Sequence, residues 1–289
     1  MATVFDYRAV SSVPEAISLL VQYGDDAKVL AGGQSLVPLL NLGLAQPAIL
    51  IDINGVEGLS GVERRDGELV VGALTRHALA EHSMVLHEAA PLLAEAYPLI
   101  GDRQVRARGT IGGSMAHADP VAELPTVAVC MGASLRVEGK NGARDVSATD
   151  FFVTYLTSSL GADELVTEVR FPVTAPGTGV SFQELVRRKG DFAIVAAAAT
   201  VELDAGGACR NAQLALAGVA GTPLRCEAVN DVLRGNVPSP ALLREAAELA
   251  CEGIEPESDV LASAGYRRAM AVVYVRRALE AATERAAGT

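Results

Sequence analysis

The chain has 289 residues and a formal net charge of -11, long enough for two domains and a sizeable core. Half of its residues are hydrophobic and a fifth are charged, the balance of a folded globular protein. Such acidity repels phosphate backbones and argues against nucleic-acid binding, and no stretch approaches the roughly eighteen consecutive apolar residues of a transmembrane helix.

The first residues, Met1 to Tyr7, lack a basic region followed by an apolar stretch, which points to a cytoplasmic location. Tyr7 to Val10 read as extended, and Ser12-Val13-Pro14-Glu15 as a helix start with its proline in the first turn. Ala16, Leu19, Leu20 and Tyr23 continue a helical stripe that stops at Gly24. Lys28 to Ala31 form a short buried strand broken by Gly32-Gly33. A helix runs from Ser35 to about Gly43, and Ala48 to Ile53 form a strand before the turn at Asn54-Gly55. After a turn at Asp66-Gly67, Leu69 to Gly72 read as a strand, and Thr75 to Ser83 and Glu88 to Tyr97 as helices. Gly109 to Ser114 form a glycine-bearing loop, and Pro120 to Met131 an interior helix. Ser134 to Val137 pair with Ala143 to Val146 around Asn141-Gly142, and Leu165 to Phe171 alternate as a strand. Two prolines and two glycines between Pro172 and Gly179 mark a boundary. Beyond it, Val180 to Arg187, Phe192 to Leu203 and Cys209 to Val219 predict an antiparallel meander. Helices close the chain, the last from about Gly265 to Arg285 with Tyr266, Met270, Val273 and Tyr274 on its core face. The expected units are 1–58, 59–175 and 178–289, of mixed α and β type.

Cys130, Cys209, Cys226 and Cys251 are too widely spaced to clip one metal or cluster, and they read as buried thiols. His77, His82 and His87 lie five apart, so no two share a helix face. No metal site is expected. The basic groups at Arg64-Arg65, Arg103 to Arg108 and Arg187 to Lys189 read first as solvated surface.

Two segments carry the chemistry: Leu30-Ala31-Gly32-Gly33-Gln34-Ser35-Leu36 and Gly109-Thr110-Ile111-Gly112-Gly113-Ser114. Paired glycines let a ligand approach the main chain, and successive N–H groups can form a concave nest for an anion. Serine adds a hydroxyl donor beside it. Two such loops converging suit the two phosphoryl groups of a diphosphate, although each pair alone is equally a tight turn. The chain has no G-x-G-x-x-G, no P-loop and no G-x-S-x-G, which disfavours a Rossmann site, a P-loop fold and the usual hydrolase elbow.

Taken together, Ala31-Gly32-Gly33-Gln34-Ser35 and Thr110-Ile111-Gly112-Gly113-Ser114 resemble the paired FAD loops of the medium subunits of molybdenum hydroxylases. These include aerobic carbon monoxide dehydrogenases, bacterial xanthine dehydrogenases and N-heterocycle hydroxylases. Asp52-Ile53, the run Ile100 to Arg106, Ala118-Asp119-Pro120 and the run Arg187 to Ala193 match in order, so the resemblance covers nearly the whole chain. It implies an α+β fold: a two-subdomain FAD-binding domain of the vanillyl-alcohol-oxidase (PCMH) type, followed by a C-terminal α+β domain with an antiparallel sheet and helices. It places the diphosphate on the two loops, with Ile100 leading into the second. Asp119 and Glu123 fall near the ribityl and ribose hydroxyls, Leu160 beside the isoalloxazine, and Phe192 in an aromatic position near the flavin. Lys189 or Arg188 would stabilise the anionic reduced flavin. Each has a plainer alternative: a helix cap for Asp119, a solvated acid for Glu123, core packing for Leu160 and Phe192, and partner or water contacts for the basic run.

The resemblance further implies a large partner with the molybdenum–pterin cofactor, a small partner with two 2Fe–2S clusters, and a dimer of heterotrimers. No acid–base catalytic residue is expected in this chain. Gln34 stands where carbon monoxide dehydrogenases usually have histidine, which leans towards an organic, N-heterocycle-like substrate. Gln183 replaces a lysine of some xanthine-oxidising relatives, which changes the contacts expected at the ring. The competing functions are a carbon monoxide dehydrogenase medium subunit, a self-contained FAD oxidoreductase, and a non-enzymatic binding or maturation protein.

Overall fold

The computed structural model describes residues 5–288. The first layer is β1 (Asp6–Ala9), α1 (Val13–Tyr23), β2 (Ala27–Leu30), α2 (Leu36–Asn41) and β3 (Ile49–Asp52). Its sheet is parallel in the order β1-β3-β2, so the apolar run of β3 lies at the centre, with Ile49 and Ile51 fully buried. The start of α1 is capped in both directions: the Ser12 hydroxyl accepts from the Glu15 N–H, and the Glu15 carboxylate accepts from the Ser11 N–H at 2.9 Å.

The second unit contains β4 (Val62–Arg65), β5 (Glu68–Gly72), α3 (His77–Glu81), α4 (Met84–Ala89), α5 (Pro91–Ala96) and α6 (Arg103–Arg108). It continues with α7 (Ile111–His117), α8 (Glu123–Met131), β6 (Ser134–Gly139), β7 (Gly142–Ser147), α9 (Ala148–Phe151), β8 (Phe152–Thr154), β9 (Thr157–Ser158) and β10 (Glu164–Pro172). Strands β4-β5-β10-β6-β7 form one antiparallel sheet, and β8-β9 a separate hairpin. The expected β6–β7 hairpin forms, but its two-residue turn is Lys140-Asn141, one residue earlier than the Asn-Gly dipeptide, with Gly139 opposite Gly142.

Three expectations here need correction. The helix expected over Glu88 to Tyr97 is two, because Pro91 has no N–H to continue α4 and instead starts α5. Gly112-Gly113 are not in a loop but in the first turn of α7. Thr110 caps that turn, its hydroxyl accepting from the Gly113 N–H at 3.1 Å. The interior helix starts at Glu123, not Pro120, because Asp119 to Ala122 first form a turn closed by the Ala122 N–H on the Asp119 carbonyl at 3.1 Å.

The third unit is β11 (Thr178–Leu185), β12 (Val195–Leu203), β13 (Cys209–Ala217), β14 (Leu224–Arg225), α10 (Ala228–Leu233), α11 (Pro240–Ala250) and α12 (Ala264–Gly288). The meander is antiparallel in the order β11-β12-β13-β14. The face of α12 also departs from expectation. Arg267, Ala271, Val275, Ala278, Leu279, Ala282 and Ala286 are buried, whereas Tyr266 is exposed and Met270 and Tyr274 pack partly buried at the edge of the same core. The helix is rotated because Arg267, though charged, is held inside by the Ile194 and Gly218 carbonyls and by Asp259 at 2.5 Å. Small side chains on that face let α12 lie close against the sheet.

β12 belongs to two cores at once. Ala196 and Ala198 join the core built on Leu92, Tyr97, Val127 and Phe171, while Val195, Ala197, Ala199 and Val201 join the one beneath α12. The alternation of strand side chains sends one set to each face, and both faces are covered. The four cysteines are all buried and free. Among the described residues, no helix is long and apolar enough to cross a membrane.

Candidate functional site

The two glycine segments meet. A Cβ on Gly32 would overlap the Arg108 carbonyl oxygen and lie 2.9 Å from the Gly109 Cα, so the loop after β2 rests directly on the residues that precede α7. Gly33 takes φ +75°, a left-handed conformation that costs a side-chain-bearing residue about 1–2 kcal/mol. It turns the chain into α2, where the Val37 N–H donates to the Gly33 carbonyl at 3.0 Å.

The two loops present different groups. The backbone N–H groups of Gly32, Gly33, Gln34 and Ser35 donate to no protein acceptor among the described residues. Gly32 is buried, so its orphaned N–H would cost about 1–3 kcal/mol unless a ligand accepted from it. A row of four consecutive free amides is a cradle for an anion with several oxygens. In the second loop most amides are already engaged: Ile111 donates to Thr75 at 3.2 Å, Gly112 to Ala73 at 2.9 Å, Gly113 to the Thr110 hydroxyl at 3.1 Å and Ser114 to Thr110 at 3.0 Å, which leaves the Thr110 N–H as the one amide there without an acceptor among the described residues. Gly112 is glycine because α7 packs on Ala73, whose Cβ a side chain at Gly112 would reach at 2.5 Å. This loop therefore offers the Thr110 N–H and side chains, chiefly the Ser114 hydroxyl, half-buried and 3.2 Å from His77 Nε2.

His77 supports that hydroxyl from beneath. Its ring lies under Gly109 and 5.8 Å from the Tyr97 ring. Burial, helped by Arg106 and Arg76, holds its pKa down at about 4, so the imidazole is neutral at neutral pH. Ile100, also buried, gives its carbonyl to Arg106 Nη1 at 3.0 Å, and the Arg106 Nε donates to Glu81 at 2.8 Å. That pair anchors the stretch leading into the second loop.

Past α7, Ala118 ends the helix in a left-handed conformation, φ 54° and ψ 39°. Asp119 then accepts from the Val121 N–H at 3.0 Å, so it caps the Asp119–Ala122 turn and not α8 itself. Glu123 opens α8 beside Asp119 and Glu184. Burial first, then those two carboxylates, push its pKa up to about 7. Glu184, on β11, is pushed up to about 7 by burial, and its Oε2 has no partner among the described residues. The carboxyls of Glu123 and Glu184 are thus partly protonated at neutral pH and can donate as well as accept.

The turn between β11 and β12 carries Lys189 and Phe192, both exposed. Phe192 is 67% exposed, so it is not core. Gly190 rests on Gly101, whose carbonyl a Cβ there would approach to 2.9 Å, which sets this turn against the Ile100-Gly101 segment. Leu160 is half-buried against the first core. The structure thus joins Gly32 with the Arg108–Gly109 step that opens the second segment, Asp119 with Glu123, and Gly190 of the Lys189–Phe192 turn with Gly101 beside Ile100. Sequence reasoning passed over Asn54, Arg76, His77, Arg108 and Glu184. The signal for Arg108 was its place directly before Gly109; for Asn54, Arg76 and Glu184 the sequence gives no signal, because their roles depend on contacts between distant segments.

Comparison with known proteins agrees with this geometry. Residues 3–174 match the model for the FAD binding domain in molybdopterin dehydrogenase, and residues 180–282 match the CO dehydrogenase flavoprotein C-terminal domain. The chain belongs to this FAD-binding molybdopterin dehydrogenase family. Among relatives of this flavoprotein, the 6-hydroxypseudooxynicotine dehydrogenase complex subunit alpha of Paenarthrobacter nicotinovorans is 41% identical, over 99% of this chain and 96% of the relative. The carbon monoxide dehydrogenase medium chain of Hydrogenophaga pseudoflava is 42% identical, over 98% of each. A solved carbon monoxide dehydrogenase from Hydrogenophaga pseudoflava, lacking the Mo-pyranopterin moiety, has a chain that superposes with a TM-score of 0.96 at 41% identity, covering 99% of each chain. The flavoprotein is accordingly an oxidoreductase subunit whose cofactor is FAD, and the fold expected from the glycine motifs is the one found.

Proposed function

We propose that this chain is the FAD-carrying medium subunit of a heterotrimeric molybdenum hydroxylase, and that it passes electrons from the 2Fe–2S clusters of a small partner to an external acceptor. The observation that carries this is the row of free amides from Gly32 to Ser35 lying against the second glycine segment, in a chain that matches medium chains over their full length. When bound, FAD would supply the exchange between single electrons and electron pairs.

The residues divide the work. The amides of Gly32, Gly33, Gln34 and Ser35 would hold the diphosphate, with Thr110 and Ser114 beside them and Leu30, Ala31, Leu36, Ile111, Gly112 and Gly113 shaping the cradle. Asp119 and Glu123 would meet the ribityl and ribose hydroxyls, Glu123 as donor and acceptor because its pKa stands at about 7. Leu160 and Ile100 would pack beside the flavin, and the exposed Phe192 ring would cover it from water. Lys189 would oppose negative charge on the reduced ring.

The assembly we propose is a dimer of heterotrimers in the cytoplasm, with the molybdenum–pterin on the large partner. Gln34 favours an organic, N-heterocycle-like substrate there. The alternative, a carbon monoxide dehydrogenase medium subunit, is supported by the 42% identity to that medium chain. Purification of the native complex through this chain tests both. Released FAD, together with molybdenum and iron in co-purifying large and small partners, is expected. Turnover of N-heterocycles but not carbon monoxide favours the first substrate class, and the reverse favours the second. A single chain without flavin overturns the proposal.

A further inference from the structure

One guanidinium links the two glycine segments, reaching the first through Asn54 and the second through the carbonyl of Arg108, the residue before it. Arg76, in the turn before α3, donates through Nη2 to the Asn54 side-chain oxygen at 2.6 Å and through Nη1 to the Arg108 carbonyl. The Asn54 side-chain amide in turn donates to the Ala31 carbonyl at 2.9 Å and to Asp52 Oδ1 at 2.6 Å. Asp52 is itself fixed by the Tyr7 hydroxyl at 2.5 Å and by the Asn54 N–H at 2.8 Å. The network runs unbroken from the end of β3 to the residues before α7, with Asn54 reaching the first loop at Ala31 and Arg76 the Arg108 carbonyl just before the second.

Its geometry matters because the Ala31–Gly32 peptide is a rigid plane. In a trans peptide the carbonyl and the following N–H point in opposite directions. Holding the Ala31 oxygen on the Asn54 side therefore turns the Gly32 N–H to the other side, the first of the four free amides. Arg76 orients Asn54 by occupying its oxygen, so the amide nitrogen must face Ala31. The same arginine holds the Arg108 carbonyl, the atom against which Gly32 rests. We infer that Asn54 and Arg76 are positioning residues that orient the amide cradle of Gly32 to Ser35 and fix its register on the second glycine segment. This rests on the FAD-binding proposal above and adds to it two residues outside the glycine motifs.

The inference is tested on the full chain with three probes: FAD, ADP, which keeps the diphosphate, and AMP, which does not. Asn54→Ala and Arg76→Met are each expected to weaken FAD and ADP by the same factor, about tenfold to a hundredfold, and AMP by much less. Because Arg76 and Asn54 act as one unit on the same cradle, the double variant should be no weaker than the more affected single variant by more than about threefold. Arg76→Lys keeps the charge but not the two-pronged contact, and should fall between wild type and Arg76→Met. Asn54 is exposed, so Asn54→Ala should melt within a few degrees of wild type when free of ligand. FAD affinity within threefold of wild type in Asn54→Ala overturns the inference, as does equal weakening of ADP and AMP. Wild-type chain that binds no FAD overturns the parent proposal instead.

Discussion

Glu184, beside Glu123, and His77, bonded to Ser114, respond to pH with opposite sign. The folded pKa of Glu184 is raised from an ordinary 4.5 to about 7 by burial. The stability associated with its neutral form is complete below 4.5 and is lost as pH rises through about 7. Glu184→Gln should therefore match wild type at pH 4 and melt higher at pH 8 by roughly 2–4 °C, read by thermal unfolding of the flavin-free chain. His77 is depressed from 6.5 to about 4, so its contribution is complete above 6.5 and is lost as pH falls through about 4. His77→Gln should flatten the acid limb of the stability curve between those values while leaving neutral-pH melting lower, because Ser114 loses its partner. An acid limb unchanged in His77→Gln would show that another group governs it. Neither residue stood out in the sequence. Glu184 is one of many acids, and His77 was one of three evenly spaced histidines, and what distinguishes each is burial supplied by segments far away in the chain.

Elements whose character is local were legible, and those set by neighbours were not. Asn141 and Gly142 mark the hairpin to within a residue, and Ser12 with Pro14 marks the start of α1, because turn and cap chemistry act within four residues. Gly112-Gly113 reads as a loop because glycine disfavours helices by about 1 kcal/mol each, a preference outweighed here by the Thr110 cap and by packing on Ala73. β4 escaped notice because Val62–Arg65 is an edge strand with a mostly charged, exposed sequence. α12 was recognised with its core face only partly right, Met270 and Tyr274 packing on the core and Tyr266 not, because Arg267 is a charge at a core position. That arginine ties α12 to the end of the β11–β12 turn and to the loop before α12, and its own pairing draws the Asp259 pKa down to about 2. Arg267→Ala leaves the Ile194 and Gly218 carbonyls without their donor and should cost about 2–3 kcal/mol in denaturant unfolding. A loss below about 1 kcal/mol would mean that water replaces the guanidinium without penalty.

At the scale of the whole molecule the paired glycine motifs were the most informative part of the sequence, since they led to the fold and cofactor that the comparisons support. Their division of labour was hidden: among the described residues the first loop leaves four consecutive amides free and the second only that of Thr110, a fact of hydrogen-bond accounting that no glycine count contains. The expected boundary near residues 172–179 separates two segments of sequence, yet the core beneath Leu92 and Val127 draws in Val180, Phe182, Ala196 and Ala198 from beyond it. Cutting there would expose one face of that core. Calorimetry of the flavin-free full chain should accordingly show one cooperative transition, and residues 5–175 produced alone should lack a sharp melt. Two separate transitions would show that the cores unfold independently.

Because β12 is nearly all alanine over its central stretch, it fixes how far apart the layers on either side of it can stand. A larger side chain tolerated on one face would shift the strand for both. Exchange of the C-terminal segment with that of a relative therefore transplants a spacer cut for another protein's helices. Such chimeras should fold well only when α5 and α8 travel with the strand, so recombination among these flavoproteins is constrained by a wall thickness rather than by the linker that seems to invite the cut.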